Sequence, residues 1–231
     1  HFGYRRQRQM CIRDRGSYDK AFINCSAVIH AGATVGFNRE TPQEVYDGCF
    51  TENEHVVESV IKSDSIKRLV FTSSFAAVAH PRPEGYVFDE KDWCGDNVEA
   101  YKGAWSTDNI SKNRDIAYAM AKANTEKYIY EIAEKDGNFE AISINPLHVI
   151  GPLLTENHNQ FFSWQYFILP LLKGVNFGSY NGQQVRSDRM LWNMVDVRDV
   201  AKAHRMAAES GNAKNGSRYI PVSYTHLTLP T

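Results

Sequence analysis

Short apolar runs alternate with helical segments along most of this chain, and this alternation limits the fold more than any other feature. The strand-like runs are residues 26–36 (SAVIHAGATVG), 67–74 (KRLVFTSS) and 139–152 (FEAISINPLHVIGP), and we expect the last to stop at Pro146. Two of them are almost continuously apolar, which is typical of parallel strands that helices cover on both faces. The sequence therefore predicts an α/β fold, a doubly wound, Rossmann-like parallel sheet.

The clearest helix start lies at Thr41. Thr41 can cap a helix, Pro42 suits the first helical position, and Glu44 completes a capping box. These signals predict a helix over residues 41–63, whereas a loop is expected from about residue 80 to about residue 112. The other predicted helices are residues 114–137, which Gly137 ends, residues 159–174 with an interrupting Pro170, and a helix in residues 193–210 that follows a short strand, with Asp196 or Asp199 near its start.

Composition limits the partners. The chain has 231 residues and a formal charge of −1, which suits one domain and gives no reason to expect nucleic acid or an anionic membrane as partner. The longest apolar runs are too short and too often interrupted to span a bilayer. Four cysteines lack the close spacing of a zinc site, so we expect reduced thiols, no metal and a cytoplasmic protein; they are Cys11, Cys25, Cys49 and Cys94.

Three predicted strand ends carry residues that suit a ligand site. They are HAGA (residues 30–33), TSS (residues 72–74) and NPLHV (residues 145–149). In a doubly wound sheet, ligands bind beyond the carboxyl ends of the strands. Small residues at the first end would let a flat, phosphate-bearing cofactor approach the backbone, although tight packing at a turn explains them equally well.

The YAMAK segment places Tyr118 and Lys122 four residues apart, on one face of the predicted helix. Tyrosine is a poor acid at neutral pH, because its pKa is about 10. A lysine cation about 4 Å away would stabilise the phenolate by about 4 kcal/mol at an effective dielectric of roughly 20, which brings that pKa close to neutral. A hydroxyl from a neighbouring strand end, Ser74 or less favourably Ser73, could then hold a substrate carbonyl. Alone the pattern is weak, since a solvated pair on an amphipathic helix is the commoner explanation.

Five motifs in register carry a family resemblance: VIHAGA, RLVFTSS, YAMAK, NPLHVIGP and VDVRDVAKAH. Together they resemble the extended short-chain dehydrogenase/reductases of the NAD-dependent epimerase/dehydratase superfamily, from about residue 16 to residue 220. The nearest branch is that of dihydroflavonol 4-reductase and cinnamoyl-CoA reductase. The resemblance implies reduction of a small, apolar or aromatic ketone or aldehyde, with NADP(H) favoured over NAD(H) as the cofactor.

The resemblance also implies roles for individual residues. Ser74 would polarise the carbonyl, Tyr118 would donate the proton, and Lys122 would lower the pKa of the tyrosine and hold the nicotinamide ribose. The implied cofactor contacts, besides Tyr118 and Lys122, are Ala31, Gly32, Ala33, Ser73, Pro146, Leu147, His148 and Val149.

Departures from the family pattern leave other functions open. Residues 108–117 (DNISKNRDIA) lack the Asn-Trp-Tyr-Cys-Tyr run of cinnamoyl-CoA reductases, which disfavours that substrate. The aromatic residues within 161–167 fit an apolar pocket or a helix core. Arg186, Arg189 and Arg198 would suit a phosphate or simply lie on the surface. The alternatives are a sugar-nucleotide epimerase or dehydratase, a 3β-hydroxysteroid dehydrogenase-type enzyme, and a non-catalytic NAD(P)-binding regulator, which has no need of the complete Ser-Tyr-Lys set.

The two ends of the chain are related at the level of DNA. VSYTHLTLPT (residues 222–231) can be encoded as GTC TCT TAT ACA CAT CTG ACG CTG CCG ACG, and the reverse complement of that DNA encodes RRQRQMCIRD (residues 5–14). We therefore expect residues 1–15 and 221–231 to be translated sequencing adapter, which is excluded from functional reasoning. Residues 16–220 are then expected to be a partial NAD(P)-binding, Rossmann-like domain from a longer protein.

Two parts of the family pattern are not found in the sequence. The family begins with a strand, a glycine-rich turn and a helix whose N-terminus holds the pyrophosphate, and residues 16–33 enter the pattern after that turn. The substrate-pocket region that follows RYI (residues 218–220) is also missing. We therefore expect the printed chain to expose apolar faces, to aggregate and to be inactive, and its oligomeric state stays open.

Overall fold

Parallel strands form the centre of the molecule. The computed structural model describes residues 14–32, 41–80, 82–83, 85–95, 106–154 and 194–222. Within these ranges the main sheet has four strands in the order β1-β2-β3-β6, and all of its neighbouring strands run parallel. A second sheet pairs β4 with β5, also in parallel. The strands are β1 (Ala27–His30), β2 (Arg68–Thr72), β3 (Glu140–Ile144), β4 (His148–Ile150), β5 (Met194–Asp196) and β6 (Ser217–Tyr219).

Local capping signals define the three described α-helices. Helix α1 (Pro42–Ile61) begins after Thr41, whose hydroxyl accepts from the Glu44 amide at 3.2 Å while the Glu44 carboxylate accepts from the Thr41 amide at 2.9 Å. Helix α2 (Arg114–Asp136) ends at Gly137, which has a φ of 71° and so takes the left-handed conformation that glycine adopts without strain. Helix α3 (Val197–Glu209) begins after Asp196, whose carboxylate accepts from the Arg198 amide at 2.8 Å.

Helices cover both faces of the main sheet. On one face, Leu69 and Phe71 of β2 pack in a core cluster with residues of α1 and α2. On the other face, Val70 of the same strand packs with Ala207 of α3. The alternation of side chains along a strand sends Val70 to the face opposite its two neighbours. The predicted doubly wound parallel sheet is confirmed for the part of the chain that the structure describes.

Most of the predicted elements are confirmed, with shorter strands than the apolar runs suggested. The loop predicted over residues 80–112 contains a short 3-10 helix, Thr107–Lys112. The strand predicted to stop at Pro146 does stop, and the chain then forms β4 immediately beyond it. Strand β6 was not predicted, because three residues are too few to show a period. The helix predicted over residues 159–174 lies outside the described residues.

No helix in the described ranges is both long enough and apolar enough to cross a membrane. The longest, α2, has 23 residues and carries charged side chains along its whole length.

Candidate active site

Lys122 ties helix α2 to the carboxyl end of strand β2. Its side chain is 2% exposed, and its Nζ donates to the carbonyl oxygen of Thr72 at 3.2 Å. Thr72 is the last residue of β2, so the lysine cation lies at the edge of the sheet where ligands bind in doubly wound folds. Ser74 follows two residues later, and the catalytic residues predicted from two separate motifs therefore meet at one place.

Tyr118 lies one helical turn before Lys122. The Nζ atom of Lys122 is 5.8 Å from the centre of the Tyr118 ring, so the predicted common face of the helix is confirmed. The ring is half-buried and packs at the edge of a core cluster that includes Ala76, Ala77 and Val45. This packing places Tyr118 beside the turn that follows Ser74.

Ser74 caps that turn. It precedes a 3-10 helix, Phe75–Ala77, and its Oγ accepts from the Ala76 amide at 3.2 Å. A serine hydroxyl can accept one hydrogen bond and still donate its own proton. The side chain is half-buried, so Ser74 can donate to a substrate oxygen while its acceptor role holds it in place.

The electrostatics of the site favour a lysine cation. Burial lowers the pKa of Lys122, but the negative charges that Tyr118, Cys49 and Glu126 can carry raise it by more, and the net pKa lies above its usual value. Lys122 is therefore protonated at neutral pH. Burial, with the nearby Lys122 charge, lowers the pKa of His30 from 6.5 to about 4, so His30 is neutral.

The residues at the end of β1 suit the approach of a flat cofactor. Ala31 and Gly32 are exposed, and a Cβ atom added at Gly32 would come within 3.0 Å of His30 Cε1. A side chain there would thus crowd the His30 ring. Ala33 lies outside the described residues. No group of three His, Cys, Asp or Glu side chains in the described ranges could hold a metal ion.

The NPLHV segment borders the Ser74 turn. The Phe75 amide donates to the Pro146 carbonyl oxygen at 2.9 Å, which brings the ends of β2 and β3 together. Pro146 is buried, Leu147 and Val149 are half-buried, and His148 is exposed. These residues therefore offer a mixed apolar and polar wall beside Ser74. Arg198 lies apart from it, exposed and bound to its own helix cap Asp196 at 2.6 Å, and Arg186 and Arg189 lie outside the described residues.

Ser73 points away from this wall. Its hydroxyl donates to Glu126, a side chain with 0% exposure that also binds Asn145 and Arg218. Sequence reasoning missed this buried network. Glu126 could have been noticed because it lies one turn beyond Lys122 on the same helix face, whereas no local pattern pointed to Arg218.

A family model relates the sequence of the chain to known proteins. The model of the NAD dependent epimerase/dehydratase family matches residues 4–220. The chain belongs to this family. It therefore belongs to a family with an NAD(P)-binding Rossmann fold, and the curated relatives correspond to the branch of dihydroflavonol 4-reductase and cinnamoyl-CoA reductase within the extended short-chain dehydrogenase/reductases.

Two curated relatives illustrate the match between this family member and known reductases. Cinnamoyl-CoA reductase CAD2 of Medicago truncatula is 31% identical over 207 residues, which cover 87% of the chain and 56% of that protein. Dihydroflavonol 4-reductase of Arabidopsis thaliana is 29% identical over 221 residues, covering 94% of the chain and 52% of that protein. The chain thus spans little more than half the length of these relatives.

A solved structure supports the fold of this family member. Yeast methylglyoxal/isovaleraldehyde reductase Gre2, complexed with NADPH, superposes with a TM-score of 0.72 at 22% identity. The superposition covers 91% of the chain and 61% of the Gre2 chain. At this identity the likeness shows the fold, with its parallel sheet and flanking helices.

Proposed function

We propose that the full-length protein carrying residues 16–220 is an NADPH-dependent carbonyl reductase with Ser74, Tyr118 and Lys122 in its active site. The observation that supports this most directly is the buried Lys122, whose Nζ lies 3.2 Å from the Thr72 carbonyl oxygen and 5.8 Å from the centre of the Tyr118 ring. A lysine on a solvated helix face would be exposed. A buried cation beside a phenol and a strand end instead suits proton transfer at that edge of the sheet.

Each of the three side chains has a separate task. Ser74 donates a hydrogen bond to the substrate carbonyl oxygen and so polarises the carbonyl group. When bound, the reduced nicotinamide supplies a hydride to the carbonyl carbon. Tyr118 transfers its hydroxyl proton to the oxygen, which yields the alcohol, and the Lys122 cation stabilises the negative charge that develops on the phenol.

Residues at two strand ends and one helix residue would hold the cofactor. Ala31 and Gly32 offer exposed backbone at β1, and Lys122 offers a cation for the ribose hydroxyls. Residues 146–149 would line the nicotinamide side, next to the Ser74 turn. Preference for NADPH over NADH, and a small apolar or aromatic substrate, form part of the proposal. Its support is the named reductase activity of the relatives and of Gre2, which was solved with NADPH.

Replacing Tyr118 tests the catalytic assignment. In the full-length protein, we expect Tyr118→Phe to lower NADPH-dependent reduction of benzaldehyde, acetophenone and cyclohexanone by at least about a hundredfold, since the proton donor is lost. The dissociation constant for NADPH, measured by fluorescence titration, should change by less than about threefold, because the ring and Lys122 remain.

Tyr128→Phe is the matched control. Tyr128 lies on the same helix, is also half-buried, and packs against Phe50 at 5.2 Å between ring centres, away from Lys122. It should retain full activity. Unchanged turnover in Tyr118→Phe would contradict the catalytic assignment, and equal losses in both variants would show that the helix, rather than the phenol, had been disturbed.

A further inference from the structure

A buried polar network lies directly behind Ser74. Its centre is the carboxylate of Glu126, which accepts hydrogen bonds from Ser73, from Asn145 Nδ2 at 2.6 Å and from Arg218 Nε at 2.7 Å. Glu126 and Asn145 are both 0% exposed. Burial raises the pKa of Glu126 above its usual value, and the Arg218 charge and the donated hydrogen bonds offset only part of that rise. The network is thus shielded from solvent and from any substrate.

The amide of Asn145 is held in one orientation by this network. Its Oδ1 accepts from the Ser143 hydroxyl at 2.7 Å, and its Nδ2 faces two acceptors. One acceptor is Glu126, and the other is the main-chain carbonyl oxygen of Ser74 at 3.2 Å. A flipped amide would set oxygen against both acceptors, so Glu126 and Ser143 fix the direction in which Asn145 donates.

This donated hydrogen bond lies just beyond the last paired residues of β2 and β3, Thr72 and Ile144. The Ser73 amide donates to the Ile144 carbonyl at 2.8 Å and the Phe75 amide donates to the Pro146 carbonyl at 2.9 Å. Pro146 has no N–H of its own, so the end of β3 lacks one backbone donor. The side chain of Asn145 supplies a donor beside this point and bonds the carbonyl oxygen of Ser74.

We propose that Asn145 is a positioning residue that fixes Ser74 for carbonyl polarisation, with Glu126 holding the Asn145 amide in the donating orientation. The inference rests on the proposed function, because it assigns Asn145 a role that acts through Ser74. Asn145 has no exposed surface. Its effect is geometric, since a displacement of about 1 Å in a catalytic group can cost about a hundredfold in rate.

The network could instead stabilise the fold without any special link to catalysis. Arg218 also donates to the carbonyl oxygens of Glu90 at 2.9 Å and Asp92 at 2.6 Å, and its guanidinium stacks on Trp93 at 3.7 Å. A purely structural role predicts that loss of Asn145 has the same effect on turnover whether or not Ser74 is present. A positioning role predicts that the effect disappears with Ser74.

A double-mutant cycle in the full-length protein separates the two roles. With NADPH and benzaldehyde, we expect Ser74→Ala to lower kcat by about a hundredfold or more and Asn145→Ala to lower it by about ten- to a hundredfold with the KM for NADPH unchanged. In the Ser74→Ala background, Asn145→Ala should then change kcat by less than about twofold. Asn145→Ser serves as a second variant that keeps a polar group in the network.

Tyr130→Phe is the matched control within the same network. Its hydroxyl donates to Ser143 Oγ at 2.7 Å and does not reach Ser74, so kcat should stay within about twofold. Equal losses from Asn145→Ala in both backgrounds would overturn the positioning role, as would loss of NADPH binding in both Asn145 variants. If Ser74→Ala itself leaves kcat unchanged, the proposed function fails, and the positioning role fails with it.

Discussion

His30 makes the stability of the protein depend on pH in a defined window. Burial, followed by the Lys122 charge, lowers its pKa from 6.5 to about 4, and its Nε2 has no hydrogen-bond partner among the described residues. The folded state therefore binds the proton less well than the unfolded state. Its contribution to stability is complete above about pH 6.5 and is lost as the pH falls towards about 4.

A histidine variant should remove this pH dependence. Between about pH 7 and about pH 5, His30 should account for about 2 kcal/mol of the fall in the free energy of unfolding. In His30→Gln the free energy of unfolding should fall by about 2 kcal/mol less between these two pH values, as measured by urea denaturation at both. The control is His148→Gln, at an exposed position. In this variant the free energy of unfolding should decrease between the two pH values as much as in the wild-type protein. If the free energy of unfolding of His30→Gln decreased as much as that of the wild-type protein, the role assigned to His30 would be contradicted.

The sequence predicts the placement of residues whose partners are close in the chain. It does not predict contacts between residues that are far apart in the chain. Helical periodicity put Tyr118 and Lys122 on one face, and strand ends pointed to Ser74. The links of Glu126 join residues far apart in the chain, since its partner Arg218 is 92 residues away. No local pattern records such a contact, and for the same reason the burial of the Ser73 hydroxyl could not be foreseen.

At the scale of elements, a buried ion pair connects strand β6 to helix α2. The side chains of Arg218 and Glu126 are 4% and 0% exposed, with 2.7 Å between Nε and Oε2. Removing one partner of a buried pair leaves an uncompensated charge, so Arg218→Ala should cost about 3–5 kcal/mol in the free energy of unfolding. Replacing both residues by Met should cost much less, because no buried charge then remains.

An exposed ion pair on the same helix provides the control. Lys135 and Glu131 are 74% and 67% exposed at 3.8 Å, and Lys135→Ala should change the free energy of unfolding by less than about 1 kcal/mol. Urea denaturation of the full-length protein measures all of these variants. A small loss in Arg218→Ala would contradict the account of Glu126 as a buried charge that depends on Arg218.

The elements with strong local signals were also those that sequence predicted well. Helix α1 has the capping box expected from Thr41 and Glu44, and helix α2 ends at the expected glycine. Strands β4 and β6 each have three residues, so their pairing depends on the strands beside them rather than on their own residues. The predicted runs of β2 and β3 extended past the last paired residues, Thr72 and Ile144, into Ser73 and Asn145, whose side chains bond the buried Glu126 instead of extending the regular pairing.

At the scale of the whole molecule, the parallel order of the sheet brings the candidate site together. Strand β2 is flanked by β1 and β3, so its carboxyl end lies between the carboxyl ends of those two strands. Helix α2 packs next to this edge and places Lys122, with Tyr118 beside it, at the end of β2. The fold class followed from the alternation of strands and helices, whereas the order of the strands and the buried network behind Ser74 required the structure.

Transfer of labelled hydride tests the central claim most directly. NADPH that carries deuterium at the transferable position should be incubated with the full-length protein and benzaldehyde, and the alcohol analysed by mass spectrometry. A carbonyl reductase that uses Ser74, Tyr118 and Lys122 should give benzyl alcohol with the deuterium on the former carbonyl carbon, and Tyr118→Phe should give almost none. Bound NADPH without labelled alcohol from benzaldehyde, acetophenone or cyclohexanone would contradict the account.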